Sequence, residues 1–186
     1  MRILWLLVLL AATAPVQAAT VAGVAVPPRA RPVADGPVLV LNGAGLRTKY
    51  FFHIYVAALY LVRRADSAAA VLAEPGPKRV WMHFLYRSLS GARMARAWDE
   101  GFRDNLSRAE YAALRPRIER FNALFDTVRR GDVVLLDALP GRGTRVTVRG
   151  RVRGIIPGDD FYRALLRIWL GPDPASGDLK AALLGR

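Results

Sequence analysis

The chain has 186 residues, of which 53% are hydrophobic, and it carries 28 Lys and Arg against 15 Asp and Glu. This length fits one domain, which can bury enough surface to fold without a disulfide or a structural metal. Because the sequence has no cysteine and only two histidines, thiolate zinc sites, iron–sulfur clusters, cysteine nucleophiles and three-histidine zinc sites are excluded. It also lacks the glycine motifs that bind phosphate, so we expect no cofactor and no metal.

The first 18 residues have the pattern of a secretory signal peptide. A basic start at Arg2 precedes an apolar run over residues 3–14, which Pro15 ends, and small residues occupy the positions before Ala18. The run is too short to span a bilayer comfortably, although an uncleaved membrane anchor is the alternative. We therefore predict cleavage after Ala18 and a periplasmic location.

Residues 19–37 are rich in proline and small residues, and we predict an extended, weakly ordered lead-in to a domain over residues 38–186. A short strand is predicted over 38–41, ended by a turn at Asn42-Gly43. Residues 50–62 are rich in aromatic and β-branched side chains, which indicates a long strand.

The rest of the chain alternates between helical and strand patterns. The apolar spacing and capping residues predict helices over 67–73, 90–105, from 107 onwards with Pro116 inside, 159–170 and 178–184. Strands are predicted over 78–87 and 133–136, followed by a hairpin over 144–156 that turns at Arg149-Gly150. Runs of strands alternating with runs of helices favour an α+β fold, in which an antiparallel sheet carries a helical layer.

The strong positive charge has several interpretations. It comes mainly from arginines scattered along the whole chain, and the densest group, around residues 142–153, does not form one stripe on a strand. We therefore expect no nucleic-acid partner. A solvated basic surface is the simplest interpretation, and peripheral contact with an anionic membrane surface is the alternative.

Residues 42–61, with the sequence NGAGLRTKYFFHIYVAALYL, resemble the chalcone isomerase family, in particular its bacterial secreted chalcone-isomerase-like branch. Further matching segments follow in order at residues 76–79, 98–102, 131–132, 140–144 and 161–171, so the resemblance covers about residues 38–185. It implies an open-faced β-sandwich, with a long antiparallel sheet, a helical layer and a ligand cleft between them.

The resemblance also implies which residues form the site. Arg47 matches an arginine shared by the isomerases and the fatty-acid-binding relatives, and Tyr55 matches a tyrosine of the fatty-acid binders. Met94 and Gly101 fall near the positions where the isomerases have their catalytic Tyr and Asn, and this departure favours binding over ring closure. An arginine forks onto a carboxylate, and a phenol adds one further donor.

An amphipathic carboxylate also needs an apolar cavity. The predicted cavity-lining residues are Trp81, Met94, Trp98, Phe102, Phe121 and Phe125. One geometric point bears on a shared site: if residues 47–55 form a straight strand, Arg47 and Tyr55 lie roughly 26 Å apart. Either the chain bends near Arg47, or the two residues do not share one ligand.

The sequence thus predicts a non-catalytic periplasmic binder of a fatty acid or a similar amphipathic carboxylate. The first alternative is an isomerase acting on a chalcone-like substrate, with Arg47 polarising a carbonyl and Tyr55, Tyr60 or Tyr86 donating a proton. The second is an envelope interaction protein with a vestigial cleft filled by its own aromatic side chains.

Overall fold

The computed structural model describes residues 19–186, and the predicted signal peptide lies outside the described residues. The strands are β1 Ala19–Val21, β2 Val24–Val26, β3 Arg29–Ala30, β4 Leu39–Lys49, β5 Phe52–Leu61, β6 Lys78–Phe84, β7 Ser88–Leu89, β8 Val128–Arg129, β9 Val133–Leu139, β10 Gly143–Val148 and β11 Arg151–Ile156. The helices are α1 Ala68–Ala73, α2 Gly91–Asn105, α3 Arg108–Asn122, α4 Asp159–Leu170 and α5 Gly177–Leu183.

A seven-stranded antiparallel sheet forms the centre of the fold, with the strand order β11-β10-β9-β6-β5-β4-β3. All five helices follow β5 in the sequence, and α2, α3, α4 and α5 supply buried side chains to the core on one face of the sheet. The predicted α+β class with an antiparallel sheet and a helical layer is confirmed. None of the helices within residues 19–186 is long and apolar enough to cross a membrane.

Strand periodicity places two cores on the two faces of the sheet. Along β5, Ala57, Leu59 and Leu61 face the helices, whereas Val56, Ala58 and Tyr60 face the other way. Because both sets are almost fully buried, β5 is covered on both sides. The second face is covered in part by Val21, Val24 and Val26 of the β1–β2 hairpin.

This hairpin changes the interpretation of residues 19–37. The lead-in was expected to lack strands, yet β1 and β2 pair through a turn at Ala22-Gly23, and β3 adds a short edge to the main sheet. Val26 is fully buried and the Tyr60 hydroxyl donates to the Pro27 carbonyl. Burial of valines on the outer face of the sheet therefore fixes a segment whose composition alone indicates little order.

Local capping signals place the helix starts. Ser67, Ser90 and Ser107 each accept a hydrogen bond from the backbone N–H three residues on, and Glu110 forms a capping box with Ser107. Helix α4 begins at the predicted residue but without a side-chain cap, because Gly158 occupies the cap position. Asp159 instead accepts a hydrogen bond from the Gly141 N–H, which ties the helix to the β9–β10 turn.

A candidate ligand-binding cleft

The turn of the β4–β5 hairpin lies at a different place from the predicted one, and its position determines where Arg47 and Tyr55 lie. The predicted turn at Asn42-Gly43 does not exist, because β4 continues through both residues to Lys49. The chain reverses instead at Tyr50-Phe51, where Tyr50 has a φ of 55°. Arg47 is consequently paired with Tyr55 directly across the hairpin. The chain therefore bends between the two residues, and the straight strand that would separate them by roughly 26 Å is not formed.

Asn42 stays inside the strand because its side chain is used in the core. It is buried, its amide nitrogen donates to the carbonyls of Ala65 and Leu183 at 2.9 and 2.8 Å, and its amide oxygen accepts from the Ala65 N–H at 2.8 Å. The next residue, Gly43, lies so close to α5 that a Cβ there would be 2.0 Å from the Ala182 carbonyl oxygen. The pair thus anchors α5 on β4.

A cleft of about 490 Å³ lies between the hairpin end of the sheet, helix α2 and the α4–α5 loop. Its size is within the range of small-molecule sites. Its apolar wall is formed by Ile54, Met82, Phe84, Leu89, Met94, Ala97, Trp98, Ile168, Pro174 and Ala175. Arg47 and Tyr55 both line this cleft, so the two predicted head-group residues face the same space.

Tyr55 is held in one orientation by the core. The Trp169 indole N–H donates to the Tyr55 hydroxyl oxygen at 3.1 Å, and the Tyr55 ring packs against Phe84 at 5.6 Å between centroids. Within residues 19–186 the hydroxyl proton itself has no acceptor. Burial raises the pKa of Tyr55, against the smaller opposing effects of the Trp169 hydrogen bond and the Arg47 charge. Tyr55 is therefore a neutral hydrogen-bond donor with an unused proton.

Arg47 is half-buried beside Tyr55 and keeps most of its donors free. One guanidinium nitrogen donates to the Thr48 carbonyl at 2.6 Å, and in the described part of the chain Arg47 makes no ion pair. A guanidinium has five N–H donors, so four remain for a ligand. Arg47 is therefore a half-buried cation without a counter-ion, and an anionic ligand would supply one.

Four further charged residues of the cleft are arranged along α2. Arg93, Arg96, Glu100 and Asp104 follow at intervals of three or four residues, which places them on one face of the helix along the cleft. The basic pair lies in the first half of α2 and the acidic pair in the second half, where Asp173 also lines the cleft. The cleft thus has a cationic and an acidic part, and its basic residues make no ion pair among residues 19–186.

The predicted cavity-lining residues divide into three groups. Met94 and Trp98 line the cleft. Phe102, Phe121 and Phe125 do not line it, because they pack in the core between α2, α3 and α4, in edge or tilted contact with one another or with Trp98. Phe121 and Phe125 contact the Trp98 ring from its core side, so they support the cleft wall without lining it.

Trp81 lies on the opposite face of the sheet from the cleft. Met82 and Phe84 of the same strand face the helices, and strand alternation turns Trp81 to the other side, where it stacks on His83. Its assignment to the cavity wall is therefore wrong in this structure.

Several residues of the site were not predicted from the sequence. Met82 and Phe84 could have been found, because the alternation along β6 places them on one face with Val80. Trp169 carries no such signal, since its role depends on a hydrogen bond to a residue 114 positions away. Arg93 and Arg96 lie on the exposed side of α2, away from the buried stripe of Met94 and Trp98, so in the sequence they resemble ordinary surface arginines.

The α2 side of the cleft includes two residues without ionisable groups, Met94 and Gly101, and one hydrogen-bond donor without a partner among residues 19–186, the Trp98 indole. Met94 and Gly101 both line the cleft and cannot exchange protons. Gly101 is required by packing, because a Cβ would meet Ile168 of α4 at 2.8 Å. The Trp98 indole nitrogen is buried without a hydrogen-bond partner among residues 19–186. No cluster of His, Asp or Glu able to hold a metal ion occurs in this part of the chain.

The comparisons with known proteins agree with this architecture. The family described as chalcone isomerase-like matches residues 18–185. The structure is similar to the crystal structure of an Arabidopsis thaliana fatty-acid binding protein, with a TM-score of 0.67 and 16% sequence identity, over 87% of this chain and 92% of that one. No curated protein sequence matches this chain. At this identity the structural likeness establishes the fold alone.

Proposed function

This chain belongs to the chalcone isomerase-like family, and we propose that it binds a fatty acid or a similar amphipathic carboxylate without changing it chemically. The observation that carries the proposal is the pairing of Arg47 with Tyr55 across the hairpin, at one end of a cleft that also has an apolar wall. A cation and a neutral donor at one point, followed by apolar surface, complement a molecule with one anionic end and a hydrocarbon body.

The geometry assigns a separate task to each group. The Arg47 guanidinium supplies the charge and two parallel donors for a carboxylate. The Tyr55 hydroxyl supplies a third donor, whose direction is fixed because its oxygen already accepts from Trp169. The aliphatic chain then lies along Ile54, Met82 and Met94. Flexible methionine side chains adapt to chains of different length and curvature.

Three features support binding rather than catalysis. Tyr55 has a raised pKa, caused by burial, and stays protonated at neutral pH, so it is a poor general base. Met94 and Gly101 provide no proton donor or acceptor at the positions that the resemblance assigns to catalytic residues. Tyr60, a donor considered for an isomerase, faces away from the cleft and donates to the Pro27 carbonyl.

The structural neighbour supports the same class of ligand. It is named as a fatty-acid binding protein, and it shares the fold over most of both chains. We extend that ligand class to this protein because its own cleft contains the Arg47–Tyr55 pair. At 16% identity, the structural likeness alone establishes only the fold.

We also propose that residues 1–18 direct export and are removed after Ala18, which places the protein in the periplasm. The support is the basic start, the apolar run and the small residues before Ala18. The mass of the chain purified after expression of the full-length gene tests this: an N-terminus at Ala19 is expected, and a retained Met1 in the periplasmic fraction contradicts it.

Native mass spectrometry tests the ligand. The wild-type chain is purified, incubated with palmitate and compared with Arg47→Ala and with Arg151→Ala, a control at an exposed arginine on β11 at the far edge of the sheet. We expect one bound palmitate on the wild type and the control, and its loss in Arg47→Ala. A wild-type chain that stays empty, or one that converts a chalcone to a flavanone, overturns the proposal.

A further inference from the structure

The tip of the β4–β5 hairpin is the most exposed apolar feature of the described chain. Six large hydrophobic residues are exposed within residues 19–186, and three of them are consecutive: Tyr50, Phe51 and Phe52, with 83, 97 and 56% of their surface accessible. They are also the only aromatic residues among the six, since the others are valines. We name these three residues the aromatic tip.

The aromatic tip is held in place rather than left on a loose loop. Lys49 pairs with Phe52, so only two residues form the turn. Phe52 is supported by an edge contact with Tyr86, at 5.6 Å and 80° between the rings. Tyr50 adopts a φ of 55°, a region that bulky side chains rarely occupy, in a turn position where glycine, asparagine or aspartate is common. A strained turn that presents two nearly bare aromatic rings indicates a role for the rings outside the fold.

Basic residues surround the aromatic tip. Lys49 directly precedes Tyr50, and Arg87 directly follows Tyr86, which supports Phe52. Both are exposed and neither forms an ion pair in the part of the chain that the structure describes. Exposed aromatic rings with cations at their base match the interface of an anionic bilayer, where rings enter the head-group region and cations pair with lipid phosphates.

We propose that the aromatic tip docks this protein on an anionic lipid bilayer. Phe51 and Tyr50 enter the interfacial region, and Lys49 and Arg87 lie at the level of the head groups. The net charge, +13 for the full chain and +12 without residues 1–18, adds a long-range attraction to the same surface. A bilayer fits better than a second protein, because the rings project from a narrow two-residue turn, whereas a stable protein interface needs a broad surface.

Docking would bring the cleft to the bilayer. Lys49 lines the cleft and directly precedes the aromatic tip. Arg47, two residues earlier, lines the cleft as well. The opening of the cleft is therefore next to the part of the protein that enters the membrane. The docking inference is independent of the ligand, because it rests on the exposure of the aromatic tip and on the cations beside it.

Tryptophan fluorescence gives a site-specific test. Phe51→Trp places an indole at the tip, and Val152→Trp is the control at an exposed valine on the far edge strand, 60% accessible. Vesicles of phosphatidylcholine and phosphatidylglycerol in about a two-to-one ratio are titrated into each chain, produced from the full-length gene with its N-terminus verified by mass. We expect the emission of Phe51→Trp to shift to shorter wavelength and that of Val152→Trp to stay unchanged. Equal behaviour of the two variants overturns the proposal.

Co-sedimentation with the same vesicles measures the strength of docking. Phe51→Ser should weaken partitioning about tenfold, since it removes one large apolar side chain from the interface, whereas Val152→Ser should leave it unchanged. Lys49→Gln should weaken it about fivefold on anionic vesicles and hardly at all on pure phosphatidylcholine. If Phe51→Ser instead converts a dimer to a monomer by light scattering, the tip is a protein interface and the proposal is wrong. Arg47→Ala tests the ligand separately, so either proposal can fail alone.

Discussion

Replacement of Tyr55 by phenylalanine removes one hydroxyl that the structure uses in two ways. In the free protein this oxygen accepts the Trp169 indole N–H at 3.1 Å, and in the proposed complex its proton is donated to the ligand carboxylate. The variant keeps the ring and its contact with Phe84. Changes in stability and in affinity can therefore be assigned to the hydroxyl and not to lost packing.

The magnitudes differ for the two roles. A hydrogen bond to a charged group contributes about 1.5–3 kcal/mol, so Tyr55→Phe should weaken binding of palmitate about ten- to a hundredfold. The unpaired Trp169 N–H should cost at least about 1 kcal/mol of folding stability, because the indole is almost fully buried. For a chain of this length, that cost lowers Tm by about 2–4 °C.

Isothermal titration calorimetry and thermal unfolding measure the two effects on the same sample. Tyr86→Phe is the matched control, because Tyr86 lies outside the cleft and its hydroxyl makes no hydrogen bond within residues 19–186. A fall in Tm with unchanged palmitate affinity would refute the reasoning, since the hydroxyl would then serve the fold alone. Because burial raises the pKa of Tyr55, the wild-type affinity should also stay constant from neutral pH to about pH 9.

Three further variants test the frame of the site. Asp137 is fully buried, and its carboxylate oxygens lie 2.5 and 2.7 Å from guanidinium nitrogens of Arg79 and Arg145. Asp137→Asn should therefore lower the free energy of unfolding in urea by about 3–5 kcal/mol. A loss below about 1 kcal/mol would contradict a structural ion cluster. Asn42→Ala should lower the free energy of unfolding by about 3 kcal/mol in the same assay, about 1 kcal/mol for each of its three side-chain hydrogen bonds. An unchanged urea midpoint would show that the attachment of α5 does not depend on Asn42. Ala97→Trp, at an exposed position of α2 that lines the cleft, should abolish palmitate binding with little change in Tm, and retained binding would place the ligand elsewhere.

Much of the fold follows from local signals. Serine caps mark the starts of α1, α2 and α3, and Arg149-Gly150 forms the predicted hairpin turn with both residues at positive φ. These features depend on side chains that contact the backbone within three or four residues, which is why a sequence pattern can identify them.

The hairpin of the site could not be placed in this way. Asn42-Gly43 has the strongest turn composition in this part of the sequence, but its amide group is satisfied by Ala65 and by Leu183, 141 positions away. The actual turn, Tyr50-Phe51, contains neither glycine nor asparagine. Tertiary burial thus overrides local turn propensity at both positions. The register that brings Arg47 to Tyr55 therefore has no local turn signal in the sequence.

The cleft itself was predictable only in part. Met94 and Trp98 recur at helical spacing and line it, but the same pattern includes Phe102, which lies in the core. Helical periodicity identifies the buried face of α2 without showing which part of that face meets the sheet and which part meets the space beside it. Only the packing of α3 and α4 against α2 separates the two.

The proposed site depends on the affinity of Arg47 for a carboxylate, and two ligands that differ only in the head group measure that affinity. Dissociation constants of palmitate and hexadecanol, which share a hydrocarbon chain and differ in the head group, are measured for the wild type and Arg47→Gln. The account predicts that the wild type prefers the acid by about tenfold or more and that Arg47→Gln loses this preference while binding the alcohol unchanged. An equal preference for the acid in both chains would contradict the account.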